Sequence, residues 1–315
     1  MVFKVLCCWS RSTGRVSFDL VARLLLMLVL PGLSGCASRS MTAEDRAALL
    51  RPFYAITAPS SQELQTLEGL LDQGQTAGGR VEIYNGVKFR RVVLQGHYCL
   101  LFVSGVSVVN AAMTTQLALD HFPITHVLMF GMAGGVNPAR ETGDVVVPDR
   151  WAHHNEAAYV NPTLQGGWEV PPATASGPHF GMIFPETVTS IRAGMPAPQS
   201  IPAFEADRAL VAAATQAGTT TALGRVTTGG VGVSGPAFVA NREYRAWLYQ
   251  VWGAQVVDLE STAAAQVCWA NRIPFASVRV VTGLVGEPAS KNALAVPSAE
   301  PGARLILAML QNLPR

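Results

Sequence analysis

Residues 256–281 read VVDLESTAAAQVCWANRIPFASVRVV. Val256–Asp258 is a short apolar run that ends on an acid. Leu259–Arg272 follows with the Ala-rich composition of a helix. Phe275–Val281 is a second apolar run, interrupted only by Ser277 and Arg279. A strand–helix–strand unit with nearly all-apolar strands is the pattern of a sheet covered on both faces. The same alternation extends outward through the chain. Strands are predicted at Phe53–Ala58, Val81–Ile83, Val92–Leu94, Tyr98–Val103, His126–Phe130, Asp144–Val147 and Gly224–Thr228. Helices are predicted at Gln62–Leu71, Val108–His121, Ala206–Gln216, Asn241–Trp252 and Ala303–Asn312. An α/β layered fold is therefore expected, as a single domain over residues 51–315. Residues 161–204 are rich in Pro and Gly and read as a surface excursion of the kind that forms a lid.

Composition narrows the function classes. The chain has 315 residues, 49% hydrophobic and 14% charged, too apolar for intrinsic disorder. Its 29 Gly and 20 Pro follow no three-residue period, which excludes a collagen-like chain. No apolar run reaches the roughly 18 residues of an ordinary membrane-spanning helix. The formal charge of +2 comes from the N-terminus, where Lys4, Arg11, Arg15 and Arg23 face only Asp19 in the first 35 residues. Without them, 19 basic and 20 acidic residues remain. That near-neutral body argues against nucleic acid as a partner.

The N-terminus reads as an address. Leu24–Leu33 is a short apolar run after a basic stretch, followed by Leu33-Ser34-Gly35-Cys36. This ending resembles the bacterial lipoprotein signal. That resemblance implies removal of the residues before Cys36, lipidation of Cys36, a tether over 37–50, and a location on the periplasmic side of the outer membrane. The membrane would be met through the lipid alone. Of the five cysteines, Cys99 and Cys268 lie in apolar segments of the body and are expected as buried thiols.

Three segments could carry chemistry. Gly131-Met132-Ala133-Gly134-Gly135 follows a strand, where glycines let a ligand approach the backbone or simply form a tight turn. Ser104-Gly105-Val106-Ser107 runs into a helix, where free amides suit a polar ligand atom or a cap. Asp258 and Glu260 open another helix. Glu260 among Ala and Val needs hydrogen-bond donors, and a sugar diol supplies them. Arg279 is a lone charge in an apolar strand and needs a partner. His153 and His154 are neighbours on a strand, point to opposite faces and are not expected to share a metal.

Taken together, these segments resemble the nucleoside phosphorylase/nucleosidase superfamily, in particular methylthioadenosine/S-adenosylhomocysteine nucleosidases and the plant bark-storage-protein-like branch. The resemblance spans roughly residues 53–292. It rests on Ala58–Leu64, on Gly131–Gly135 with Gly143–Pro148, on Trp151–His153, on Gly232–Phe238, and on Asp258–Cys268 with Ile273–Phe275. It implies a three-layer α/β/α sandwich around a mixed, twisted sheet, no cofactor, a nucleoside ligand and a homo-oligomer. It also implies N-ribosyl hydrolysis of a purine-type or 5′-thio nucleoside. Glu63 would activate the water, with Ser104 and Arg279 around it. Glu260 would grip the ribose hydroxyls above Leu259. Gly134 would approach the ligand, Phe238 would stack on the base, and Val239 would meet its edge.

One position departs from that pattern. Purine-cleaving members carry an Asp that protonates purine N7, and here Gly283 stands in its place. Either the base leaves without that proton, or Glu287 or a residue of 161–204 supplies it, or the protein binds a nucleoside without cleaving it. The Ser104–Ser107 loop also lacks the Arg that phosphorylases use to hold phosphate, which favours water as nucleophile over a phosphorylase reaction.

Overall fold

A computed structural model describes residues 51–71, 79–172, 174, 177–220, 223–287 and 298–314. The signal, Cys36 and the tether lie outside the described residues. The spine is β5 (Ile124–Gly135), a twelve-residue strand with Val127–Gly131 fully buried. Along one edge, β1 (Phe53–Ala58) pairs in parallel with its first half, Phe53–Thr57 against Ile124–Met129. Beyond the end of β1, β15 (Ala254–Asp258) pairs antiparallel at Gly134 and Gly135. The other edge carries β16 (Phe275–Leu284) in parallel along almost its whole length. Two halves of the sheet thus separate beside the middle of β5, and the strand ends there face a common crevice.

Outward from β1 lie β4 (His97–Val103, parallel), then β3 (Val87–Leu94) and β2 (Val81–Tyr84), both antiparallel. Outward from β15 lie β14 (Val231–Ser234) and β7 (Arg150–His153) in parallel, then a short antiparallel β12 (Phe204–Glu205). β16 also carries β6 (Val145–Val147), which pairs with β13 (Val226–Thr228).

Alternating residues of the central strands feed two cores. Leu128, Phe130, Val278 and Val280 pack with α1 (Ser61–Glu68), α3 (Arg208–Thr220) and α6 (Glu300–Gln311) on one face. Val127, Met129, Phe275 and Val281 pack with α2 (Val108–His121) and α5 (Ser261–Asn271) on the other. The period of two along a strand sends neighbours to opposite faces. The result is the expected three-layer α/β/α sandwich with a mixed sheet. A third cluster holds α4 (Arg242–Trp252) against β14 and β15.

Three local expectations are corrected. Gly131–Gly135 continues β5 and forms no turn, because β15 and β16 offer hydrogen-bond partners on both edges. Val231–Ser234, absent from the predicted strands, is a buried strand, and Gly232 leaves room for the Trp151 ring. The excursion is partly ordered into two hairpins. One joins β8 (Ala157–Tyr159) to β9 (Ile183–Pro185), the other β10 (Val188–Ser190) to β11 (Gln199–Ile201). Phe180 anchors it edge-on to Tyr244, 5.0 Å between centroids, and against Trp247 at 5.8 Å. Such aromatic contacts hold a segment in place beyond their buried area. Cys99 and Cys268 are free and buried, as expected. Burial pushes the Cys99 thiol up to about 12 and raises Cys268 further, so neither is a ready nucleophile.

Leu128 sits on the spine with no exposed surface. Leu128→Ala is expected to cost about 2–5 kcal/mol in denaturant unfolding, through lost transfer energy and the cavity left behind.

Candidate active site

Arg279 lies mid-strand in β16 with a fully buried side chain. Its register partner is Gly131 of β5. A guanidinium without water must find its compensation inside the protein. Nε lies 2.8 Å from Asp258 Oδ2, and Nη2 lies 3.7 Å from Glu260 Oε2. Nε and Nη2 also donate to Ser261 Oγ at 2.9 and 2.8 Å, and Nε to Ser277 Oγ at 3.1 Å. Nη2 is 3.0 Å from Met129 Sδ, and Nη1 donates to the Met132 carbonyl at 3.4 Å.

Gly131 leaves space for a third carboxylate nearby. A Cβ at that position would stand 2.6 Å from Arg279 Nη1 and 2.9 Å from Glu63 Oε1. Glu63 itself is placed by its helix. Ser60 caps α1, and Glu63 completes a capping box: its Oε2 accepts from the Ser60 amide at 3.1 Å and hydroxyl at 2.6 Å. The other oxygen, Oε1, accepts from the Met132 amide at 3.0 Å. Glu63 thus caps a helix and also reaches the crevice.

Asp258 and Glu260 follow β15. Asp258 is almost wholly committed to structure. Its Oδ1 accepts from Ser234 Oγ at 2.5 Å and from the Glu260 and Ser261 amides at 3.1 Å each. Its Oδ2 takes Ser261 Oγ at 2.5 Å in addition to Arg279. Glu260 is less fully engaged. Its Oε1 accepts from the Ser107 amide at 3.0 Å, across the crevice from the start of α2. To present that amide, Ser107 adopts φ +83°, a strained conformation for a residue with a Cβ. Burial pushes Glu260 up to about 7; Arg279 and the Ser107 amide pull down, while Asp258 and Glu63 add to the rise.

Other sequence-derived candidates fall around this centre or outside it. Ser104 is buried, and its hydroxyl is directed to the carbonyls of Ala58 at 3.4 Å and Gly105 at 3.2 Å. Gly134 packs under Val285 and Val257. Leu259 is half-buried beside Glu260, and Val239 packs on the α4 core. Phe238 is 84% exposed and stacks on no described ring. Glu287 does not turn towards the crevice: Arg242 and Arg245 hold it at 3.1 and 3.2 Å. His153 contacts Gln266 Oε1 at 3.0 Å and His154 the Tyr244 hydroxyl at 2.9 Å. Among the described residues, no group of three His, Cys, Asp or Glu could hold a metal.

Sequence reasoning missed Asp258 as the counter-ion of Arg279, and missed Gly131 as the gap through which Arg279 and Glu63 approach. The S-x-x-E pattern Ser60–Glu63 was a visible cue for the capping box. The arrangement puts a buried cation among three carboxylates, two of which, Glu63 and Glu260, retain capacity towards the crevice. It can hold hydroxyl donors and accept a proton from water.

Removing the counter-ion should be far costlier than removing a surface pair. Asp258→Ala is expected to lose about 3–5 kcal/mol in urea unfolding, by stranding a buried guanidinium. Glu287→Ala, at a solvent-exposed pair, is expected to lose less than about 1 kcal/mol.

Comparison with known proteins identifies the scaffold. The family model of the phosphorylase superfamily matches residues 53–309. A 5′-methylthioadenosine/S-adenosylhomocysteine nucleosidase of Bacillus cereus is 29% identical over 239 residues, 74% of this chain and 86% of that protein. The Neisseria meningitidis 5′-methylthioadenosine/S-adenosylhomocysteine nucleosidase, solved with methylthio-immucillin-A, superposes with a TM-score of 0.64 at 25% identity, covering 84% of this chain and 100% of that one. Helicobacter pylori futalosine hydrolase shares the fold, with a TM-score of 0.65 at 20% identity over 84% of this chain and 100% of that one. The crevice, its buried arginine and the residues that build it therefore sit on a known scaffold: the chain belongs to the phosphorylase superfamily.

Proposed function

We propose that this protein is a nucleosidase that hydrolyses the N-glycosidic bond of a purine-type or 5′-thio nucleoside. The observation that carries the reading is the pair of buried carboxylates at the crevice, Glu260 at Arg279 Nη2 and Glu63 beside Gly131. Cleavage passes through an oxocarbenium-like sugar, and carboxylates around it stabilise the developing positive charge. Glu260 accepts the ribose 2′- and 3′-hydroxyls, with Leu259 beside the sugar. Glu63, held by Ser60 and the Met132 amide, takes the proton of the attacking water, and Arg279 stands beside Glu260. The nucleosidase relatives support this reading. Water as nucleophile is supported by the site's charge: its buried cation is already shared between Asp258 and Glu260, leaving little to bind phosphate.

Full-length protein incubated with a nucleoside panel, with free base followed by chromatography, tests this. Base is expected to appear without phosphate and to fall by about 10²–10⁴-fold in Glu63→Gln. Release only with phosphate would make the protein a phosphorylase. Binding without release would leave a nucleoside-binding protein, the reading that Gly283 favours.

The pH dependence has a defined sign. Diol hydroxyls donate to the ionised form of Glu260, and burial raises that group to about 7. Substrate capture should therefore weaken as pH falls through about 7, seen as an acid limb in kcat/KM. Glu260→Gln should lose that limb.

The proposal includes export, with Cys36 lipidated and the body held on the periplasmic side of the outer membrane. The Leu33–Cys36 sequence after a short apolar run supports it. It also includes a homo-oligomer. Val106, Val109 and Met113 are exposed at α2, beside a groove of about 370 Å³ lined by Val108, Ala263 and Pro236. Labelled palmitate should enter the wild-type chain and be absent from Cys36→Ser. Light scattering should give at least twice the chain mass.

A further inference from the structure

We infer that the substrate of this site is a cationic riboside, one whose base already bears positive charge at the glycosidic junction, such as an N-alkylated purine or a pyridinium. The inference rests on the nucleosidase reading above and narrows it to a substrate class.

A neutral base leaves with the electron pair of the C1′–N bond and needs a proton donor on the base side. Among the described residues, β16 and the loop after β14 place no acid there, and the imidazole against that loop, His154 at Gly235, is kept neutral because burial lowers it to about 4, which makes it a poor proton donor. β16 bulges between Val281 and Leu284, opposite Ala133–Gly135 of β5. Gly283 sits in that bulge at φ +142°, and a Cβ on it would meet only Thr142 Oγ1, at 3.7 Å. Thr282 turns its hydroxyl to the Ala133 carbonyl at 3.3 Å. Glu287 is held by Arg242 and Arg245. The loop Gly235-Pro236-Ala237-Phe238-Val239-Ala240 has no ionisable side chain, and the Ser234 hydroxyl before it is spent on Asp258. The bulge is also a backbone feature, since an L residue at φ +142° is strained, so a carboxylate would not be seated by exchanging this one side chain.

The sugar side has the opposite character. Asp258 and Glu260 pair with the single guanidinium of Arg279, and Glu63 lies on the far side of Gly131 from it, so three carboxylates line the site against one cation. This suits a reaction that starts with positive charge on the base and moves it to the sugar. The C1′–N bond breaks, its electron pair returns to the base nitrogen, and the base leaves neutral. The charge passes to C1′ and the ring oxygen, where Glu63 and Glu260 lie. Water then bonds to C1′ and its proton goes to Glu63. Stabilisation that grows along the reaction path is what raises the rate.

The test gives full-length protein 7-methylguanosine and nicotinamide riboside as cations, and guanosine and 5′-methylthioadenosine as neutral comparators, without phosphate. Glu63→Gln protein serves as the blank for spontaneous loss of base. Cationic ribosides are expected to exceed the neutral ones in kcat/KM by about 100-fold or more, the scale of missing general-acid help. Neutral nucleosides cleaved equally well or better would overturn the inference while leaving the nucleosidase reading intact. No release from any of the four would sink the nucleosidase reading, and the inference with it.

Discussion

A guanidinium buried without access to water is the constraint on which the rest of this structure depends. Arg279 sits in the middle of a strand that packs both faces of a three-layer sandwich. Such a charge is tolerable only with close carboxylates and saturated hydrogen bonds. Each requirement traces to a local feature. Gly131 opens the space beside Nη1, and Ser261 and Ser277 line Nε. Asp258 ends its strand within ion-pair distance. The divergence of β1 and β15 along one edge of β5 creates the crevice into which these groups face.

The three carboxylates divide their work. Asp258 takes four hydrogen bonds besides its ion pair, so it serves as an anchor that starts α5 and fixes Arg279. That leaves Glu260 with one amide partner and a distant guanidinium contact, and a carboxylate in that state still wants donors. Glu63 combines a capping box with a reach across to the Met132 amide, which holds its side chain without help from ligand. The strained Ser107 fits the same picture, since the backbone distortion exists where an amide is presented to Glu260.

Much of the fold was legible because its central strands are nearly all apolar. Phe53–Ala58 and Val108–His121 have the limits expected from the sequence, and the α/β layering followed from the 256–281 unit. The need of Arg279 for a partner was legible too, since a lone charge in an apolar strand announces it. Which acid would answer was not, because Asp258 is 21 positions away and equally suited to capping a helix. Glycine was misleading. Gly131–Gly135 looks like a turn, yet neighbours on both edges keep it extended, and its lack of side chains serves packing. Gly283 was legible as a missing acid. That the backbone bulges there, so that the change goes beyond one side chain, depends on pairing with β5 that no local pattern reports. The excursion was placed correctly on the surface, but its anchoring through Phe180 to α4 joins positions more than sixty apart.

The central claim is that the crevice between Glu63 and Glu260 holds the sugar. A crystal structure of the Glu63→Gln protein with an intact riboside addresses it most directly. The account places the 2′- and 3′-hydroxyls on Glu260 and turns C1′ towards position 63, with room for one water between them. A riboside bound with its hydroxyls away from Glu260, or seated outside the crevice, would contradict it.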